Sequence, residues 1–170
     1  EARKRINDLY PNKEIIISTL HSLGTRELGI NTTTQLLQGS NWKAFKNYSQ
    51  ICQDLEFETV VGESGIPEYR NNYMKVIDYA RSRKITQLED AALELDIIDS
   101  IDMGLCNQIK QDLDDFKRDF MMFEFSDMIS EFVKKDKCPS LDVVFLDEAQ
   151  DLSPLQWDMF FYIESRCKRS

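Results

Sequence analysis

Three carboxylates, Asp147, Glu148 and Asp151, follow directly on an apolar run, Val143-Val144-Phe145-Leu146. Such a run predicts a buried strand over 142–147 with the acids at its carboxyl end. In a parallel α/β sheet, ligands bind outside the carboxyl ends of the strands. A carboxylate held there is costly unless it meets a cation or hydrogen-bond donors. A hydrated Mg²⁺ suits it, because that ion takes one or two carboxylates and leaves its other positions to water and phosphate oxygens. Asp147 is therefore the candidate metal ligand. Glu148, the next residue along a strand, points the other way. It can orient and deprotonate a water for attack on a γ-phosphate. The competing reading is two acids at the start of a solvated loop.

The elements that must position these groups are legible in part. Ile15-Ile16-Ile17 is β-branched and apolar, and predicts a second short buried strand. Thr19 to Gly24 then leave it as an exposed loop that carries His21. Residues 1–9 read as the end of a helix stopped by Pro11-Asn12. From about residue 25 to 111 apolar residues recur at helical spacing. The stripes are Trp42, Phe45 and Cys52; then Tyr69, Tyr73, Val76, Ile77 and Ala80; then Leu88, Ala91, Ala92, Leu95 and Ile98. Gly62, Gly65 and Pro67 punctuate a loop between the first two. Residues 107–122 form a further amphipathic helix through Ile109, Leu113, Phe116 and Phe120. Ser126 to Val133 are helical, and Ser153-Pro154 opens a last helix as N-cap and first helical residue. Two buried strands separated by helices predict an α/β fold with a parallel sheet and a helical insert.

Composition narrows the function classes. The chain has 170 residues, 42% of them hydrophobic, which suits a folded domain. No apolar stretch approaches the ~20 residues of a membrane helix, and no apolar segment follows the basic residues near Glu1 as in a signal peptide. The net charge of −9 argues against a general nucleic-acid coat but leaves room for a local groove. Arg81-Ser82-Arg83-Lys84 is the densest basic cluster of the insert, read as a solvated helix end or a duplex-DNA contact. The four cysteines form no C-x-x-C pair and His21 is the one histidine, so free thiols in a reducing cytoplasm are expected rather than zinc.

The longer string Leu146-Asp147-Glu148-Ala149-Gln150-Asp151-Leu152-Ser153-Pro154-Leu155-Gln156 resembles motif II, the Walker B segment, of UvrD/Rep/PcrA-like superfamily 1 DNA helicases. Ser18-Thr19-Leu20-His21-Ser22-Leu23-Gly24 is similar to the family's T-F-H-S segment, with Leu20 where Phe is common. Phe123-Glu124-Phe125-Ser126-Asp127-Met128-Ile129 resembles its D-F-x-D-L/M-I segment, with Glu124 in place of the usual first Asp. Glu1 to Ile6 is similar to the end of the motif Ia helix. The motifs stand in the family's order.

The resemblance implies a RecA-like motor domain 1A in residues 1–24 and 112–170. It places the helical 1B insert in residues 25–111. It implies ATP as substrate with Mg²⁺ held by Asp147, Glu148 as the catalytic base, and Gln150 and Asp151 coupling the nucleotide to DNA. It implies contact with single-stranded DNA and duplex junctions through Thr19, His21, Ser22 and Phe125, and 3′-to-5′ travel. No G-x-x-x-x-G-K-[ST] occurs in the 170 residues. The P-loop is expected upstream of Glu1, so the chain alone is expected to be inactive and, with a sheet edge uncovered, to self-associate. Two rivals stay open. One is a non-enzymatic DNA- or protein-binding module that keeps the fold without a nucleotide site. The other is a metal-dependent nuclease, which needs further carboxylates on other strand ends.

Overall fold

The fold, a computed structural model, is described over residues 15–57, 59–61 and 67–168. The helix end expected over residues 1–9, and the motif Ia segment within it, lie outside these residues.

Helices dominate. In chain order they are α1 (Leu20–Leu28), α2 (Thr32–Gln35), α3 (Ser40–Tyr48), α4 (Asn72–Arg83), α5 (Leu88–Glu94), α6 (Met103–Phe120), α7 (Phe125–Lys134) and α8 (Pro154–Arg166). Each stripe read from spacing turns its apolar side inward. On α6, Cys106, Ile109, Leu113 and Phe116 fall on one face and are buried, while Phe120 at the end is exposed. Asp102 starts that helix by accepting the Leu105 amide at 3.1 Å. On α4, Asn71 caps the start through the Tyr73 amide at 2.8 Å, and Met74, Val76, Ile77 and Ala80 are buried. The cap expected at Ser153-Pro154 is present: the Ser153 amide donates to Gln156 Oε1 at 2.8 Å, and Pro154 opens α8.

The expected parallel sheet does not occur among the described residues. The strands among the described residues are β1 (Thr59–Val61) and β2 (Pro67–Tyr69), an antiparallel pair with Val60 opposite Glu68. Both lie in the block read as helical. Ile15–Ile17 and Val143–Leu146 carry no strand assignment and are irregular. The physical reason lies in the surroundings of the second run. A buried parallel strand needs neighbours for its N–H and C=O groups and cover on both faces. Here Leu141 and Val144 pack against the α7–α8 core, but Phe145 is 89% exposed and Val143 is 54% exposed. The described residues are therefore mainly helical and do not form an α/β parallel-sheet domain. The segment from Thr19 to Gly24 is corrected too: from Leu20 it is helix, not loop.

Apolar packing forms separate clusters. The largest joins α3 to α6 around Trp42, Phe45, Ile77, Ile109 and Leu113. A second joins α1, α7 and α8 through Leu23, Ile129, Phe132, Met159 and Ile163. Gly24 allows α1 and α7 to meet closely, since a Cβ there would lie 2.9 Å from the Met128 carbonyl oxygen. A short parallel bridge also ties Leu36 to Phe123: the Leu37 amide donates to Phe123 O at 2.8 Å, and the Phe123 amide to Gln35 O at 2.7 Å. No helix among the described residues is long and apolar enough to cross a membrane.

Candidate functional site

Asp147 and Glu148 are exposed at a sharp turn that leads into α8. Glu148 adopts a left-handed conformation, φ 52° and ψ 43°, which costs a residue with a Cβ roughly 1–2 kcal/mol. The alternation of an extended strand therefore does not operate here. The geometry of the acids comes from the turn instead. The Glu148 amide donates to Asp147 Oδ1 at 3.1 Å, and Gln150 Nε2 donates to Glu148 Oε2 at 2.5 Å. Ala149–Asp151 form one 3₁₀ turn, closed by the Asp151 amide on Glu148 O at 3.0 Å. The capped start of α8 follows at once, and Met159 and Ile163 anchor that helix in the second core. Gln150 thus holds the Glu148 carboxylate. Asp151 is exposed on the same turn.

The donor set fits a hydrated Mg²⁺ better than a protein cage. No group of three His, Cys, Asp or Glu side chains converges among the described residues. Two adjacent exposed carboxylates are what an ion needs when water and phosphate oxygens supply its other ligands.

The remaining site residues meet elsewhere. Thr19 caps α1, accepting the Ser22 amide at 3.1 Å and donating its hydroxyl to Ser22 Oγ at 3.1 Å. His21 lies on the first turn, half-buried, with its ring edge-on to Phe125 at 5.6 Å and 84°. Burial holds its imidazole below the usual range. At pH 7 it is neutral, with one nitrogen donating and the other accepting. His21, Ser22 and Phe125 line an open cleft of about 630 Å³ with Thr25, Arg26, Asn31, Thr32 and Met128. Residues 147–151 do not line it. Arg26 was missed from the sequence, yet it follows Ser22 by four positions and so shares its helix face. The Thr19 N-cap was the signal that would have revealed that helix.

A third cluster was also missed. Glu124, 2% exposed, precedes Phe125 at the start of α7. Its carboxylate pairs with Arg81 of α4, accepts from Lys117 Nζ of α6 at 2.8 Å, and accepts from the Tyr69 hydroxyl at 3.3 Å. Arg81 Nη2 also reaches Asp114 at 2.6 Å, and Lys117 reaches Asp127 at 2.9 Å. The basic cluster at residues 81–84 is therefore largely engaged within the fold. Arg81 serves Glu124, Arg83 lies over the Tyr79 ring at 5.4 Å, and Lys84 pairs with Asp158 of α8 at 2.5 Å.

Asp78 lies beside this cluster. Burial, then the Glu124 charge, push its carboxyl up from 3.8 to about 6, against the opposing pull of Arg81. A folded value above the unfolded one means that the fold takes up a proton between them. The stability it adds is complete below about pH 4 and is lost as pH rises through 6. Asp78→Asn is expected to raise stability at pH 8, on the order of 1–3 kcal/mol, and to leave it near wild type at pH 4. Thermal melts of both proteins across this range check the sign; a gap that shrinks with rising pH contradicts it.

The matched family is the UvrD/REP helicase N-terminal domain, whose family model covers residues 1–168. No curated protein and no solved structure matches the chain. The acid turn, the helix-capped His21 segment and the Phe125 segment all fall inside that match, and the chain belongs to the UvrD/REP helicase N-terminal domain family.

Proposed function

We propose that the intact helicase is an ATP-dependent DNA translocase, and that the cleft between α1 and α7 receives single-stranded DNA. The observation that carries this reading is the pairing of His21 with Phe125 in one open cleft, 5.6 Å apart. An exposed aromatic edge offers a surface to a base, while the Ser22 hydroxyl and the N–H groups of Arg26 left over from its pair with Glu27 offer donors to phosphate. Asp147 would hold Mg²⁺, which when bound offsets the charge of the transferring phosphoryl group. Glu148 accepts the proton of the attacking water, and Gln150 fixes its carboxylate. The triphosphate itself needs a P-loop, a motif the 170 residues do not contain, so the proposal concerns the intact protein. Gln150 and Asp151 lie between the acids and α8, which packs on α7 in the second core. That contact gives the nucleotide turn a route to the DNA cleft.

His21→Ala in the intact helicase is expected to weaken single-stranded DNA binding by about 1–3 kcal/mol, the worth of one base-stacking contact. Because His21 is half-buried, fluorescence anisotropy with labelled oligothymidylate is paired with a thermal melt. A lowered melting temperature at unchanged affinity makes His21 a packing residue, and unchanged affinity in Phe125→Ala as well removes the cleft from DNA binding.

A further inference from the structure

Phe125 lines the cleft, and the residue at the N-cap just before it is held by α4 and α6. The residue before it, Glu124, is buried with its carboxylate among Arg81, Lys117 and the Tyr69 hydroxyl. Its own amide donates to Asp127 Oδ2 at 2.7 Å, and Asp127 is held in turn by Lys117. The first turn of α7 is therefore pinned at two points, one through the side chain of Glu124 and one through its backbone. Phe125 begins immediately after both. It is 37% exposed, and its contact with His21 is a single ring edge. The anchored backbone at Glu124 therefore sets the direction from which its ring enters the cleft.

We propose that Arg81 is a positioning residue for single-stranded DNA: by gripping Glu124 from α4 it sets the direction in which Phe125 enters the cleft. Arg81 suits the task through its fork. One arm meets Glu124 and the other meets Asp114 of α6, so the guanidinium orients the carboxylate as well as neutralising it. A lysine keeps the charge and loses the fork. Lys117 already supplies a second cation to Glu124, so Arg81→Lys leaves the carboxylate paired. The inference rests on the reading of the cleft as a DNA site.

The test is a double-mutant cycle on the intact helicase, read by anisotropy with labelled oligothymidylate. Arg81→Lys and Phe125→Ala are each expected to weaken binding about tenfold, a loss within the range of one stacking contact. The double variant is expected to be no weaker than Phe125→Ala alone, because Arg81 acts only through Phe125. The KM for ATP without DNA stays unchanged. Glu124→Asp, which keeps the charge but withdraws the carboxylate by one methylene, is expected to behave as Arg81→Lys does, and serves if Arg81→Lys does not fold. Losses that add, or a charge-conserving variant with wild-type affinity, overturn the inference while leaving the cleft as a DNA site. Wild-type affinity in both Phe125→Ala and His21→Ala removes the DNA site and the inference together.

Discussion

Glu148→Gln in the intact helicase is expected to lower steady-state ATP hydrolysis by about 10²–10⁴, the usual loss when a positioned general base is removed. Nucleotide binding should survive, because the amide keeps the shape of the carboxylate and Asp147 keeps its charge. Stability should hardly change. Glu148 is exposed, and its contact with Gln150 lies on the surface. The effect thus separates chemistry from folding. Phosphate release with single-stranded DNA present, beside binding of a fluorescent ATP analogue, measures both. Turnover within a few-fold of wild type excludes Glu148 as the base.

Glu124→Ala is expected to have the largest effect on stability, about 3–5 kcal/mol, because it leaves buried cations without their shared partner. Burial alone would push this carboxyl up, but Arg81 and Lys117 outweigh it and hold it below the usual range. Its contribution is thus present at neutral pH and lost as pH falls through the lowered folded value. Asp114 and Asp127 remain after the substitution, so Arg81 and Lys117 keep one acid each. What disappears is the carboxylate that links α4, α6 and α7. Urea denaturation at pH 7 measures the loss. A cost below about 1 kcal/mol, the value of an exposed pair, makes the cluster a surface feature in energetic terms.

Helices were the legible part of this fold because each carries its own period. The spacing of Ile109, Leu113 and Phe116, and the Ser153-Pro154 cap, are local and survive in the structure. A parallel sheet was expected and is absent among the described residues, because a strand depends on what lies beside it. Val143–Leu146 has the composition of a buried strand, but Phe145 faces away from the core. The helix at His21 was hidden behind the preceding isoleucines, although Thr19 marks its start. The acid turn stood out in the string of residues, while its left-handed Glu148 did not. Glu124 read as a departure from the motif; its partners Tyr69, Arg81 and Lys117 are distant enough in the chain, or plain enough in type, that no pattern announces them.

Among the ion pairs at the end of helix α4, two are of unlike character. Arg81–Glu124 is shielded from solvent on the Glu124 side, whereas Lys84–Asp158 lies open to it. Dissolved ions weaken the second more than the first, since salt screens charges in water while buried pairs are screened much less. Ionic strength therefore distinguishes the two fastenings. Concentrated salt is expected to weaken the ionic link of α4 to α8, the helix that follows the acid turn, and to spare its grip on α7, the helix that carries Phe125.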